Sequence, residues 1–390
     1  MIESLYSNAH WAFILLKIVV VVLAFAMPIG SLMTLLGDRK QSSMIQNRVG
    51  PNRARLSIIP GLGKLPLVGI PHFLADGLKM IFKEDVIPDG ANRFWHNMAP
   101  ALALFPAIVV WAVIPFADMY CTGTIVVQNY RDICMDGEVR NYFSIANLDA
   151  GLLYVFAISS VSVYGAAIAG WASNAKYSLL GGLRSTAQMI SYDVSMGLSL
   201  AGALVIYGTL NLNEMVVAQG RLLWGWLPMW GIIIQPLAFF IFLAAMMAET
   251  KRAPFDLPEG ESEIVAGYFT EFSSMKFAVI QLSEYVATVF VGALVATIFL
   301  GGWQVPFLYG DGFHFGDSPE PHIPLPYWLV IVLRIGSFSI KTLFILWLQF
   351  MLRWTLPRFR YDQVMNLGWK IFLPLSIANL IVTALIVTLL

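Results

Sequence analysis

Eight apolar runs, each near or above the ~17–25 residues needed to cross a bilayer, leave this chain few architectures. They cover about 11–36, 99–116, 151–171, 194–210, 227–247, 277–300, 327–351 and 369–390. Inside lipid, backbone polar groups must find partners within their own segment, so the runs read as helices and the fold class as an all-α membrane protein. The share of charged residues, 12% of 390, is about half the ~25% of soluble domains. The first run follows Glu3 instead of a basic stretch and exceeds the ~7–15 residues of a secretion signal, so it counts as a span. With zero formal net charge and no basic tract, no nucleic-acid partner is expected.

Eight spans put both termini on one side. The loops 37–98, 172–193, 248–276 and 352–370 hold 18 Lys and Arg residues, whereas the opposite loops hold three, Arg131, Arg140 and Arg221. The positive-inside rule then makes the basic loops cytoplasmic and both termini external. The two cysteines, Cys121 and Cys134, fall in an external loop, where a disulfide and a pair of free thiols are both open readings. Neither belongs to a C-x-x-C pair, and the five histidines lie in loops or near span ends, so no redox centre is expected in this chain.

No internal repeat or low-complexity segment divides residues 1–390, which read as one membrane domain with structured cytoplasmic loops at 37–98 and 248–276. The second loop is the anomaly. Between two strongly apolar spans it gathers Glu249, Asp256, Glu259, Glu261, Glu263 and Glu271, six of the 24 acids, with Lys251, Arg252 and two prolines. Carboxylates crowded at a bilayer boundary cannot all ionise; some hold protons, and the group titrates together. That pattern suggests proton handling. Glu259 and Glu263 would share a face if the segment were helical, whereas its prolines and glycines favour a loop. Lys251 beside Glu249 should favour the ionised carboxylate. Glu284, alone among apolar neighbours in the sixth run, should face the bundle interior, since a mid-bilayer charge costs ~2.5–3.5 kcal/mol. Lys17, Arg334 and Lys341 read as structural or partner contacts.

Two further cytoplasmic segments carry pattern. In 73–83, Asp76, Lys79 and Lys83 share one helical face and Leu74, Leu78 and Ile81 another, which suits an amphipathic helix in the membrane interface or against a partner. In 183–193, leading into the fourth run, Arg184 and Gln188 share a face while Asp193 groups with Thr186 and Met189.

The run Ala-Glu-Thr-Lys-Arg-Ala-Pro-Phe-Asp-Leu-Pro-Glu-Gly-Glu-Ser-Glu (248–263) resembles the signature loop of the H-type membrane component of respiratory complex I, the counterpart of mitochondrial NADH dehydrogenase subunit one. Gly-Asp-Arg-Lys (37–40), Gln-Asn-Arg-Val-Gly-Pro-Asn-Arg (46–53), Ala-Asp-Gly-Leu-Lys (75–79), Leu-Arg-Ser-Thr-Ala-Gln-Met-Ile-Ser-Tyr (183–192) and Leu-Pro-Arg-Phe-Arg-Tyr-Asp-Gln-Val-Met (356–365) extend the likeness over nearly the whole chain.

The resemblance implies an eight-helix core in the bacterial inner membrane, with a chamber for a lipid quinone, the substrate, against the peripheral arm. Its partners would be the B and C/D type subunits of that arm, the A, J and K type membrane subunits, the antiporter-like L, M and N types, and membrane lipid. NADH, FMN and iron–sulfur clusters would be bound by those partners, and this chain would bind no cofactor of its own. By motif, Asp38, Arg39, Asp76 and Lys79 would flank the chamber entrance, with Arg184, Asp193 and Arg252 lining it. Glu249, Asp256, Glu259, Glu261, Glu263, Glu271 and Glu284 would begin a proton relay. Many relatives carry glutamate at the positions of Asp38 and Asp193, and often Asn at that of Lys251. The homologous subunit of a membrane-bound hydrogenase or ferredoxin-linked complex, and a free-standing ion transporter, remain alternatives.

Overall fold

The computed structural model describes residues 17–26, 28–30, 34–54, 69–118, 120–121, 124–128, 131–135, 139–140, 143–223, 226–314 and 323–389. The beginning of the first apolar run, Arg55 and Lys64 lie outside these. Six described helices are long and apolar enough to cross a membrane. In chain order the helices are α1 (Lys17–Gly30), α2 (Thr34–Gln41, continued by Ser42–Ile45), α3 (Ile70–Phe82), α4 (Arg93–Val113), α5 (Gly151–Ala172), α6 (Lys176–Tyr207), α7 (Leu212–Ala218), α8 (Pro236–Glu249), α9 (Glu261–Ile264), α10 (Ser274–Phe299), α11 (Tyr327–Thr355) and α12 (Tyr361–Leu389). Of the eight expected spans, the first and fifth appear as the shorter apolar helices α1 and α8. The fifth run is interrupted at Gln235, whose backbone (φ −133°, ψ 66°) leaves the helical region that a following proline disfavours.

Helix α10 forms the axis, packed against α4, α8 and α11, while α6 packs against α5, α8 and α12. The fourth span differs most from its expected bounds. The helix begins at Lys176, not near 194, so the segment carrying Arg184 and Asp193 lies within the helix and is no loop. Its 32 residues reach roughly 48 Å, well beyond a ~30 Å hydrocarbon layer. Ser178, Ser185, Gln188, Ser191, Ser195 and Ser199 recur along one buried stripe. Small polar residues of this kind let helices approach closely and bond across the contact. Gly170 of α5 meets Gly182 of α6 there: a Cβ at Gly170 would lie 2.7 Å from the Ser178 carbonyl.

Helix α2 carries Gly37, Asp38 and Arg39 on a regular element instead of a loop. Helix α3 has the amphipathic pattern expected for 73–83, with Phe73, Leu78, Ile81 and Phe82 exposed.

The loops divide between the two ends of the bundle. At one end, the described parts of three loops interlock: 120–121, 124–128 and 131–135 of the first, 209–223 and 226–230 of the second, and 300–314 and 323–325 of the third. The strands Thr124–Gln128 and Arg131–Met135 form a hairpin, and Cys121 is disulfide-bonded to Cys134. Asp132 accepts from the Gly310 amide at 3.0 Å, and Trp303 donates to Asn213 at 3.1 Å. Arg334 of α11, only 3% exposed, pairs with Asp118 and Asp132 and lies 4.8 Å from the Trp303 ring. Lys341 donates to the carbonyls of Gly302 and Gln304 at 3.0 and 2.6 Å. Arg334 and Lys341 are thus both tied within the chain.

Removing one member of a buried ion cluster strands the rest and typically costs ~3–5 kcal/mol. Arg334→Leu is therefore expected to lower the thermal unfolding midpoint of the purified assembly, with partial recovery on adding Asp118→Asn and Asp132→Asn. An unchanged midpoint would refute this role for Arg334.

Candidate functional site

At the opposite end, the acidic segment folds down into the bundle. Phe255 and Leu257 are buried, the Phe255 ring lying 5.4 Å from Tyr192 and 5.6 Å from Phe359. Gln188 of α6, fully buried, donates to the carbonyls of Ala248 (2.7 Å) and Phe255 (2.8 Å), drawing the two limbs together. The link before α12 straps the loop from outside: the Phe359 amide donates to Pro254 at 3.2 Å and Arg358 donates to Asp256 at 2.6 Å. The Ala253–Pro254 peptide is cis. On the far limb Gly267 (φ +61°) passes so close to the Pro258 carbonyl that no Cβ fits, and Gly181 of α6 provides a matching seat for Tyr268. Lys251 and Val265 also hold positive φ, +56° and +66°, costing of order 1–3 kcal/mol each.

This packing assembles a charge cluster from four elements. Asp38 of α2 accepts from Arg353 of α11 at 2.8 Å and from the Tyr285 hydroxyl of α10 at 3.3 Å, with Arg252 at 4.0 Å. The Arg252 guanidinium covers the Tyr285 ring at 4.4 Å. Behind it, Tyr268 donates to Glu284 at 2.7 Å, and the Lys251 ammonium lies 4.7 Å over the Tyr268 ring. Glu284, 5% exposed, faces the interior as its sequence context required. Glu284, Glu249, Lys251, Ser159, Ser162 and Ser283 share a cavity of about 70 Å³, enough for several waters, since one needs ~10–15 Å³. Several buried polar atoms here have no hydrogen-bond partner among the described residues: Glu249 Oε2, Glu284 Oε2, Asp256 Oδ1, and Nε and Nη2 of Arg252. Of these residues, Glu249 and Glu284 line the cavity, whose walls are otherwise mostly apolar, so water there would gather at the carboxylates and serines.

The remaining expected residues divide between this cluster and its rim. Asp193 of α6 approaches Glu249 of α8. Arg39 pairs with Asp76 at a half-exposed rim, and Lys79 is exposed nearby on α3. Arg184 donates to Glu263 at 2.6 Å on the surface. Glu259 and Glu263 do not share a face. Gly260 (φ +28°) separates them, α9 begins only at Glu261, and Glu259 turns inward while Glu263 is exposed. Glu271 lies beside His96, whose ring stacks on Phe272 at 4.1 Å. Sequence reasoning missed Arg353, Arg358, Tyr268, Tyr285 and Gln188 as site residues. Of these, only Arg358 and Gln188 carried a signal, sitting inside the motifs at 356–365 and 183–192.

The environment separates the loop's titrating groups. Burial, reinforced by Glu284 and Asp256, pushes the Glu259 carboxyl up to about 8 against the pull of Arg252 and Arg353. Burial also raises Asp256, while Arg358 opposes it. Burial pushes the Lys251 ammonium below its ordinary range, against the attraction of Glu284, Glu259 and Glu249. Burial and the Glu284 carboxylate hold the Tyr268 phenol well above its usual value, so it stays a donor. Glu259 is thus the loop carboxyl held furthest toward its protonated form.

A sequence profile of the NADH dehydrogenase family matches residues 16–384. The chain belongs to the NADH dehydrogenase family. Among its relatives, the NADH-quinone oxidoreductase H-type subunit of Leptospira biflexa is 42% identical over 367 residues, covering 93% of this chain and 92% of the relative. The second NADH-quinone oxidoreductase H-type subunit of Koribacter versatilis is 41% identical over 375 residues, 96% and 97% of the two chains. NADH-quinone oxidoreductase subunit 8 of Rhodothermus marinus is 40% identical over 387 residues, 98% and 97%. The family match thus spans the cluster, the strap and the Arg334 ion pairs alike.

In this NADH dehydrogenase family chain, folded Glu259 keeps its proton to about 8, whereas the ordinary carboxyl releases it at 4.5. The folded state therefore binds the extra proton across that window, and stability falls as pH rises through it. Glu259→Gln is expected to flatten this part of the fall, so its thermal midpoint declines less than the parent's between about pH 6 and about pH 8. Parallel declines would contradict the assignment.

Proposed function

We propose that this chain is a membrane subunit of a bacterial NADH-quinone oxidoreductase, and that it couples quinone reduction to proton translocation. The reading rests on the names of relatives matched over nearly the full chain and on one structural observation. Paired charges at the surface, Arg39–Asp76 and Arg184–Glu263, stand outside the buried Asp38, Arg252, Asp256 and Glu259, and behind these lies a cavity into which Glu249 and Glu284 project. The relatives' names favour this over a hydrogenase-type complex or a free-standing transporter.

In this reading residues 1–390 act as one inner-membrane domain of eight spans, counting α1 and α8, with both termini periplasmic. Helix α3 lies in the cytoplasmic interface, its exposed apolar residues against lipid or a neighbouring subunit. The quinone headgroup enters a chamber closed by peripheral-arm subunits of the B and C/D types, past Asp38, Arg39, Asp76 and Lys79, with Arg184, Asp193 and Arg252 along its wall. NADH, FMN and iron–sulfur clusters remain in those partners, which deliver the electrons. Membrane subunits of the A, J, K and antiporter-like L, M and N types continue the path outward.

Reducing a quinone to a quinol takes up two electrons and two protons. Arginines 252 and 353 neutralise negative charge that develops near the chamber, and Asp256, Glu259, Glu261, Glu263 and Glu271 supply or redistribute protons. A changed charge at the loop alters the field at Glu284 and Glu249, and cavity water exchanges protons between them. In liposomes holding the whole complex, Glu284→Gln is expected to lower NADH:quinone turnover and proton pumping together by at least about tenfold, equivalent to ~1.4 kcal/mol on the barrier. Parental rates of both would overturn the reading.

A further inference from the structure

The cavity-lining carboxylate of α10 is addressed by a loop side chain that neither the charge pattern nor the motifs singled out. Tyr268, 2% exposed, donates from its hydroxyl to Glu284 Oε1 at 2.7 Å. The second oxygen of the same carboxylate, Oε2, is buried with no hydrogen-bond partner among the described residues. Glu284 lines the cavity of about 70 Å³, so a water there can reach the free oxygen. One oxygen is therefore capped and the other left to exchange.

Tyr268 is also fixed from several directions. Its carbonyl accepts from the Ser178 hydroxyl of α6 at 3.0 Å. A Cβ at Gly181 would stand 2.6 Å from its nitrogen, so only glycine allows that seat. Its ring carries Lys251 on one face at 4.7 Å and meets Phe269 edge-on at 5.0 Å. Gly267, the residue before Tyr268, nests against the Pro258 carbonyl, so the 258–267 limb closes on itself immediately beside the Tyr268 backbone.

We infer that Tyr268 is the positioning residue through which the acidic loop controls proton exchange at Glu284: it caps one carboxylate oxygen and directs exchange to the other. The inference rests on the proton-coupling reading above and identifies the contact that transmits the loop's state. The charged and titratable groups acting on Glu284 are Lys251, Arg252, Asp256, Glu259 and Tyr268 from the loop and Glu249 from α8. The cavity walls from α4 and α5 add Ser159 and Ser162 but no charge. When the loop holds Tyr268 in place, the ionised form of Glu284 gains a hydrogen bond. When the loop shifts, that bond is lost, and the side chain takes a proton from cavity water more readily.

The test uses the complete complex in liposomes, measuring NADH:quinone turnover and proton pumping against pH. Tyr268→Phe keeps the ring and its packing and deletes only the hydroxyl. A hydrogen bond to a charged group is worth enough to move a titration by about one unit, so the pumping profile should shift by about one pH unit to the alkaline side. Replacing Tyr268 by 3-fluorotyrosine strengthens the donor without changing the fold, and should shift the profile to the acid side. Opposite shifts support the inference. A profile matching the parent's in the fluorotyrosine protein, with Glu284→Gln inactive, overturns the inference and leaves the proton-coupling reading standing. Pumping at the parental rate in Glu284→Gln overturns both.

Discussion

Charge inside a low-dielectric bundle is tolerated only where partners or protons neutralise it, and the inner half of this fold is arranged around that constraint. Glu284 and Glu249 sit on helices that would exclude them in an ordinary membrane domain. The chain answers by bringing Lys251, Arg252, Arg353 and Arg358 around these acids, Asp38, Asp256 and Glu259. The compensation is incomplete. Burial still raises Glu259 and Asp256 and lowers Lys251, and several buried atoms keep open valences.

The opposite end solves a similar problem in a different way. Arg334 is matched by Asp118 and Asp132, and Lys341 is bound by two carbonyls and lies 4.7 Å from the Trp230 ring. A disulfide and interlocking loops hold the surrounding hairpin. One face is thus ordered by an arginine held between two aspartates, and the other gathers buried carboxylates whose charges are only partly matched. The central helix α10 spans between them, with Glu284 in the half nearer the charged end and largely apolar packing toward the other.

Much of this was legible in the chain. The apolar runs gave the helical class, and the acids between 249 and 271 marked the charged end before any contact was known. The inward orientation of Glu284 followed from its apolar neighbours alone. Other features were hidden for identifiable reasons. The first half of α6 is rich in serine, glycine and charge, so hydropathy stops near 194 although its serine stripe is buried in helix contacts. Gly260 turns the chain between Glu259 and Glu263, sending one inward and one out, which helical spacing could not anticipate. Arg353 reaches Asp38 across 315 residues and Arg358 reaches Asp256 across 102, contacts that no local pattern encodes. The two cysteines left two readings open, and the disulfide between Cys121 and Cys134 resolves them, joining two separate strand pairs in which Cys121 faces Val139 and Cys134 faces Ile125.

The central claim is that loop and cavity carboxylates change protonation as quinone is reduced next to them. Time-resolved infrared difference spectroscopy on the complete complex, with its glutamates isotopically labelled, measures this directly. The account predicts a carboxylic-acid C=O band that appears or shifts on quinone reduction, moves with the label, and is absent in Glu259→Gln or Glu284→Gln. Spectra in which the labelled carboxylates stay ionised throughout turnover would contradict it.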